Sequence, residues 1–130
     1  MKFKILEIAK AARTASFKLA SLNAGVKNNA LIRMADGLLK NANAIKEANK
    51  KDVSAAKKKG LSKAMIDRLT ITDKVLETIV SGIRDVAGLP DPIGGISNMW
   101  RRPNGLLVGR MRIPLGVIGI IYEARPNVTA

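Results

Sequence analysis

Apolar residues recur at spacings of three and four along the first ninety residues, and this period predicts amphipathic helices. The first helix should fade near Asn23-Ala24-Gly25, and one face of it consists of Ile5, Ile8, Ala9, Ala12, Ser16 and Leu19. A second helix should follow, with Asn28 or Asn29 accepting hydrogen bonds from the amides of its first turn. Its stripe is the strongest in the chain and consists of Leu31, Met34, Ala35, Leu38, Ala42 and Ile45.

The helical pattern continues through a lysine-rich stretch from Asn43 to Lys59, where Gly60 can provide a left-handed cap. Lysines in the last turn suit the negative end of the helix dipole, and their simplest interpretation is a solvated face. After a short segment, Met65–Leu69, Thr72 can cap a fourth helix that ends in the glycine- and proline-containing segment 88–92. The apolar face of this helix consists of Val75, Leu76, Ile79, Val80, Ile83, Val86 and Ala87.

Beyond "PDPIGGIS" the pattern changes to strand alternation, and residues 98–113, "NMWRRPNGLLVGRMRI", predict a β-hairpin with its tight turn at Asn104-Gly105. Pro114 should mark a kink before the apolar run 116–121. This run predicts the first strand of a parallel sheet, buried on both faces. Such a strand needs neighbours that the chain does not supply, so we expect the chain to be part of a larger architecture.

Composition limits the chemistry that the chain can carry. Its 130 residues fit one domain, and it contains no cysteine and no histidine. Disulfides, thiolate zinc sites and the usual metal and general-base chemistry are therefore excluded for this chain. The N-terminus lacks the apolar core of a signal peptide, and the apolar run Leu115–Ile121 is too short for a bilayer, which needs about 20 residues. We expect a cytoplasmic protein without membrane contact.

The chain is strongly basic, with 23 Lys and Arg against 10 Asp and Glu and a net charge of +13. A charge of this size attracts polyanions, so a small basic nucleic-acid-binding protein is an alternative function. The lysines are spread around helix faces, however, and aromatic residues make up only 3% of the chain. Without stacking aromatics or a recognition motif, the sequence disfavours nucleic acid as a partner.

Residues 114–129, "PLGVIGIIYEARPNVT", resemble the signature segment of the gamma-glutamyl phosphate reductase family, a branch of the aldehyde dehydrogenase superfamily. The helical stretch "LLKNANAIKEANKKDVSAAKKKGLSKAMIDRLTIT", the segment "VAGLPDPIGGI" and the Trp-Arg-Arg hairpin follow the family's N-terminal order. The resemblance implies an α/β fold, the N-terminal part of an aldehyde-dehydrogenase-like architecture. Residues 1–97 would form a helical part with four helices, 98–113 a hairpin that can serve oligomerisation, and 114–130 the first strand and loop of a Rossmann-like sheet.

The same resemblance implies NADPH-dependent reduction of L-glutamyl 5-phosphate to glutamate 5-semialdehyde and phosphate in proline biosynthesis. In the family a cysteine thiol of a separate catalytic domain displaces phosphate and forms a thioester. This chain contains no cysteine, so we expect it to be inactive alone, and an inactive or regulatory fragment is an alternative. The sequence does not distinguish NADPH from NADH as the cofactor. The implied partners are the acyl phosphate substrate, further copies of the chain and, as a candidate, glutamate 5-kinase.

Site residues carried over from the resemblance lie after the predicted strand. The candidates for the wall of the cofactor site are Ile121, Tyr122, Glu123, Ala124 and Arg125. Arg125 could bind a phosphate or could pair with Glu123. In the superfamily an asparagine amide donates to the oxyanion formed by thiol attack, which assigns that catalytic role to Asn127. The loop "YEARPN" is longer than its counterpart, and a loop-capping role for Asn127 is the alternative. Trp100, Arg101 and Arg102 could form a subunit interface or cover their own helices.

Overall fold

The computed structural model describes residues 2–122 and 125–130, and their fold is mixed α/β, as predicted. The helices are α1 (Lys2–Ala20), α2 (Ala24–Lys40), α3 (Ala42–Lys58), α4 (Lys63–Leu69) and α5 (Asp73–Gly88). The strands are β1 (Ile96–Arg101) and β2 (Leu107–Met111), and a short 3-10 helix covers Pro126–Val128. None of the described helices has the length and apolar character needed to cross a membrane.

The chain forms two compact units. The helical unit consists of Gly25–Leu89 and Ile120–Ala130, and the hairpin unit consists of Met1–Ala24 and Pro90–Gly119.

The core of the helical unit lies between α2 and α5. Ala35, Val80 and Ile83 are buried, and Leu31, Leu38 and Ile79 pack against them. These six residues belong to the stripes predicted for the second and fourth helices, so the predicted core faces are confirmed here. Full burial of a side chain of Val or Ile size contributes about 1.5–3 kcal/mol, so this contact stabilises the unit.

The predicted ends of α3 and α5 are confirmed. Gly60 has φ +72°, its N–H donates to the Lys57 carbonyl at 3.0 Å, and the Leu61 N–H donates to the Ala56 carbonyl at 3.2 Å. This pair of bonds is a Schellman cap, which requires a left-handed residue at the position of Gly60. At the start of α5, the hydroxyl oxygen of Thr72 accepts from the Val75 N–H at 3.2 Å.

Two details of the helical prediction are wrong. Helix α2 begins at Ala24, so Asn28 and Asn29 lie inside the helix and do not cap it. Gly25 costs only about 1 kcal/mol in a helix, which is too little to delay its start. The structure also contains α4, so the described residues form five helices instead of four. Ser62 caps α4 by accepting from Met65 N–H at 3.4 Å, and seven residues are too few to show a helical period.

The predicted hairpin is confirmed in the hairpin unit. Strands β1 and β2 are antiparallel, with Ile96 opposite Met111, and a bulge at Asn98 shifts the register. The turn is closed by the Arg102 N–H, which donates to the Leu106 carbonyl at 2.8 Å. Gly105 has φ +88°, as predicted, but Asn104 is not among the described residues with positive φ, so the two-residue turn predicted from Asn104-Gly105 is wrong. The chain forms a longer loop in which only the glycine is left-handed.

The predicted strand 116–121 is not present among the described residues. The backbone from 112 to 122 has no strand assignment, and the side chains that were expected to be buried on both faces are exposed. A strand is held by ladder hydrogen bonds and by elements packed on its faces, and the described part of the chain supplies neither to this segment. The apolar face predicted for α1 is also exposed: Ile5, Ile8 and Leu19 are all more than half accessible.

Candidate functional site

The loop that carries the predicted site residues is a short 3-10 turn. The Val128 N–H donates to the Arg125 carbonyl at 3.1 Å, and the Thr129 N–H donates to the Pro126 carbonyl at 3.2 Å. Proline suits the first position of such a turn because its φ is already fixed near the helical value. Asn127 stands in the middle of the turn, where its side chain is exposed.

A side-chain hydrogen bond closes this loop. The hydroxyl oxygens of Tyr122 and Thr129 lie 2.6 Å apart, and either can be the donor. Both side chains lie in the helical unit. The bond joins the residue that ends the exposed apolar segment to the residue that follows the 3-10 turn, and so restrains Asn127 from both sides.

The turn borders a concave surface of about 530 Å³, which we call the polar pocket. Arg125, Pro126 and Asn127 line one side of it. The other side is formed by the end of α4, the linker from α4 to α5 and the first turns of α5, namely Asp67, Arg68, Thr70, Thr72, Lys74, Val75, Thr78 and Ile79. The described residues of the pocket therefore include three cations, three threonines and one carboxamide beside a single carboxylate.

A second pocket of about 580 Å³ lies on the other side of Pro126 and Ile79, which border both pockets. We call it the apolar pocket. Its walls come from α2, α3, α5 and the end of the loop, and include Met34, Leu38, Ile45, Ile71 and Leu76. Asn127 does not line the apolar pocket, but it also borders a third, smaller pocket of about 260 Å³ together with Leu31 and Val86.

Asn49 holds the linker that contributes to both pockets. Its side-chain amide donates to the Leu69 carbonyl at 2.9 Å, and its carbonyl oxygen accepts from the Ile71 N–H at 2.7 Å. Asn49 is only 6% exposed and is the only buried polar residue among those described. A buried amide of this kind fixes the backbone because breaking either bond would leave a buried polar group unpaired. Thr70 and Thr72 flank Ile71, so Asn49 also determines where their hydroxyls lie.

The cations of the polar pocket have no ion-pair partner within residues 2–122 and 125–130. Arg68, Lys74 and Arg125 make none of the observed salt bridges, whereas Lys46 pairs with Asp73 and Arg84 pairs with Asp36. A concave surface with unpaired guanidinium and ammonium groups attracts anions. Over the same described ranges, no group of three His, Cys, Asp or Glu side chains is arranged to hold a metal ion.

The structure brings together only some of the predicted site residues. Arg125 and Asn127 line the polar pocket, whereas Ile121 and Tyr122 are exposed and line none of the pockets described above. Glu123 and Ala124 lie outside the described residues. From the sequence, Thr72 was predicted only as a helix cap, and Arg68, Lys74 and Asn49 were not predicted as site residues. The polar spacing in "DRLTITDK" was the available signal, but the segment is too short to identify a site without its contact to the loop.

Comparison with known proteins gives matches over nearly the whole chain. Gamma-glutamyl phosphate reductases are 52% identical over 125 residues in Clostridium novyi and 58% identical over 122 residues in a Sulfurihydrogenibium species, covering 96% and 94% of this chain. The crystal structure of gamma-glutamyl phosphate reductase from Thermotoga maritima has a TM-score of 0.91 at 40% identity, over 95% of this chain. The chain matches the N-terminal portion of gamma-glutamyl phosphate reductases. The predicted resemblance of the chain to gamma-glutamyl phosphate reductases is therefore confirmed.

The chain spans about 30% of the length of these gamma-glutamyl phosphate reductases, and 30% of the Thermotoga maritima structure. The yeast gamma-glutamyl phosphate reductase, from Saccharomyces cerevisiae, gives a TM-score of 0.88 at 36% identity and is covered to 31%. No protein-family model matches the chain. Both crystal structures are similar to this chain over 95% of its length.

Proposed function

We propose that this chain serves as the N-terminal part of an NADPH-dependent reductase that converts L-glutamyl 5-phosphate to glutamate 5-semialdehyde and phosphate in proline biosynthesis. The similarity to gamma-glutamyl phosphate reductases, at 52% and 58% identity over nearly the whole chain, carries this proposal. The chain has no cysteine, so the thiol that displaces phosphate must come from the rest of such an enzyme.

Asn127 has the chemistry and position of an oxyanion donor. Its carboxamide is exposed at the border of the polar pocket and makes no hydrogen bond with other described residues. Thiol attack on the acyl carbon moves a pair of electrons onto the carbonyl oxygen, and collapse of that oxyanion expels phosphate. A carboxamide N–H aimed at this oxygen stabilises the transition state more than the substrate, which is the requirement for catalysis.

Two observations support a role for the residues around Tyr122 in lining the cofactor site. Ile121 is fully exposed and offers an apolar surface to a flat ring, and Arg125 offers a guanidinium with no ion pair in the described part of the chain. We assign Ile121, Tyr122 and Arg125 to this wall, together with Glu123 and Ala124 from the sequence. NADPH, when bound, supplies the hydride that reduces the acyl carbon.

The exposed hairpin suits a homo-oligomer contact. Met99, Trp100, Leu107 and Met111 are all at least 40% accessible in the hairpin unit. Apolar strand residues left open in this way are typical of a surface that another protein chain covers. Glutamate 5-kinase as a partner stays a prediction of the sequence.

A chimera tests the proposed function. In it, this chain replaces the portion that it matches in the Thermotoga maritima reductase. We expect the chimera to reduce NADP⁺ only when both glutamate 5-semialdehyde and inorganic phosphate are present, which is the proposed reaction in reverse. A second chimera with the Saccharomyces cerevisiae host controls for failure at the junction. Two folded chimeras without this activity would overturn the proposal.

A further inference from the structure

We infer that the polar pocket binds an oxyanion, namely the carboxylate or the phosphate group of the acyl phosphate substrate. The presence of an anion site rests on the pocket's own residues, and its assignment to the substrate rests on the proposed function. Neither the similarity nor the sequence analysis placed Arg68, Thr72 or Lys74 in a binding site.

The charge of the pocket favours an anion. Arg68 comes from α4, Lys74 from the first turn of α5 and Arg125 from the loop, so three separate segments bring cations to one concave surface. Among the described residues of its lining, Asp67 is the only one with a carboxylate. A guanidinium presents a planar fork of N–H donors that matches the oxygens of carboxylate or phosphate, and two of the three cations are of this type.

Two further groups of the pocket, the Thr72 hydroxyl and the Asn127 carboxamide, offer hydrogen-bond donors to a ligand that only accepts. The Thr72 oxygen accepts from Val75 N–H, which leaves its hydroxyl hydrogen for a ligand. Thr70 and Thr78 differ, because their hydroxyls donate to the carbonyls of Ile66 and Lys74, at 2.7 and 2.8 Å. The Asn127 carboxamide adds N–H donors on the other side of the pocket. Ionised carboxylates and phosphates present acceptors to all of these donors.

The Thr72 hydroxyl is also held in place. The two hydrogen bonds of Asn49 fix the linker that carries Thr70 and Thr72. The positive end of the α5 dipole lies at the same linker, since α5 begins at Asp73, and adds to the attraction for an anion. A hydroxyl on a fixed backbone loses little freedom when a ligand binds, which favours a specific site over diffuse attraction to a basic surface.

Two lining residues have roles in the proposed function: Arg125 belongs to the cofactor wall and Asn127 to the reacting carbonyl. We assign the oxyanion to the substrate through Asn127, and the KM for NADP⁺ tests the cofactor as the other source. The same carboxamide that borders the pocket is proposed to face the reacting carbonyl, so a group bound in the pocket is close to the acyl carbon. L-glutamyl 5-phosphate carries a phosphate on that carbon and a carboxylate at its other end. Both groups are anions with hydrogen-bond acceptors, which the donors of the pocket can bind. The KM values for phosphate and for glutamate 5-semialdehyde distinguish them.

A titration of the chain with inorganic phosphate, and separately with glutamate, tests the pocket directly. Ionic strength is held constant with chloride, and the backbone amide shifts of Thr72, Lys74 and Asn127 are followed by NMR. All proteins in the titration carry Ile118→Lys and Ile121→Lys, two exposed positions outside the pocket whose charge opposes self-association. We expect saturable shifts with at least one probe, and an increase in its Kd of about 5- to 20-fold in Arg68→Gln and in Arg125→Gln. Arg33→Gln removes the same charge from the exposed surface of α2 and should leave the Kd within about twofold.

Equal weakening by Arg33→Gln, or no saturable binding of either probe, would overturn the inference. In the chimera, Arg68→Gln should raise the KM for phosphate if the pocket holds the phosphate group, and the KM for glutamate 5-semialdehyde if it holds the carboxylate. A rise confined to the KM for NADP⁺ would contradict assignment to the substrate. An inactive chimera would count against the proposed function but not against the anion site, because the NMR titration tests the anion site on the chain itself.

Discussion

The hydroxyl of Tyr122 lies 2.6 Å from the hydroxyl of Thr129, and this bond joins the two ends of the loop that carries Asn127. Tyr122 is 47% exposed, so water competes for the bond and its net contribution is moderate. Its importance is geometric, since it restrains the turn whose residues border both the polar and the apolar pockets.

We predict that Tyr122→Phe and Thr129→Val are not additive. Each removes the same hydrogen bond, so each should lower the free energy of unfolding by about 0.5–1.5 kcal/mol, and the double variant should lose little more than either single one. Urea unfolding of the four proteins measures this coupling. Fully additive losses would mean that the two hydroxyls do not form the bond in solution.

Asn49→Asp should destabilise the helical unit strongly. The carboxylate can still accept from the Ile71 N–H but cannot donate to the Leu69 carbonyl, and it places a charge where the side chain is buried. A loss of about 3 kcal/mol in the free energy of unfolding is expected. Asn29→Ala is the matched control, because Asn29 is exposed inside α2 and alanine favours helix. Similar losses in both variants would contradict the role given to Asn49.

Gly60→Ala and Gly82→Ala should change stability in opposite directions. Gly60 has φ +72°, which a side chain at this position makes unfavourable, so alanine should cost about 1–2 kcal/mol. Gly82 lies inside α5 with open space at its Cβ position, so alanine should stabilise by about 1 kcal/mol. Thermal unfolding of both variants checks the pair, and a stabilising Gly60→Ala would refute the left-handed cap.

The chain alone should self-associate. Ile118 and Ile121 are highly exposed in an extended segment with open backbone, a surface that promotes intermolecular contact. Ile118→Lys together with Ile121→Lys should shift the chain toward monomer in light scattering. Ser97→Lys adds charge at an exposed polar position of the hairpin and serves as the control. Monodisperse unmodified chain at high concentration would rule out this expectation.

Local signals were enough to predict most of the helical unit and the hairpin. The stripe around Ala35 and the face around Val80 have a period long enough to identify, and Thr72, Gly60 and Gly105 occupy positions where backbone geometry requires their residue types. These features depend on residues close together in sequence, so the sequence predicts them well.

The remaining features depend on contacts between segments far apart in sequence. Asn49 binds a linker about twenty residues later, and nothing in its neighbourhood distinguishes it from other asparagines. Arg68 and Lys74 become site candidates only because Asn127 lies across the pocket from them. The apolar run 116–121 has the composition of a buried strand, but burial depends on neighbours that a local pattern cannot specify.

The most direct test of the account is the effect of Asn127→Ala on the chimera, measured as turnover and as the Kd for NADPH. If the carboxamide donates to the developing oxyanion, turnover should fall by about 10²–10³, equivalent to roughly 3–4 kcal/mol, while the Kd for NADPH stays nearly unchanged. Unchanged turnover with a raised Kd for NADPH would contradict the account, because Asn127 would then hold the loop and the oxyanion donor would be another group.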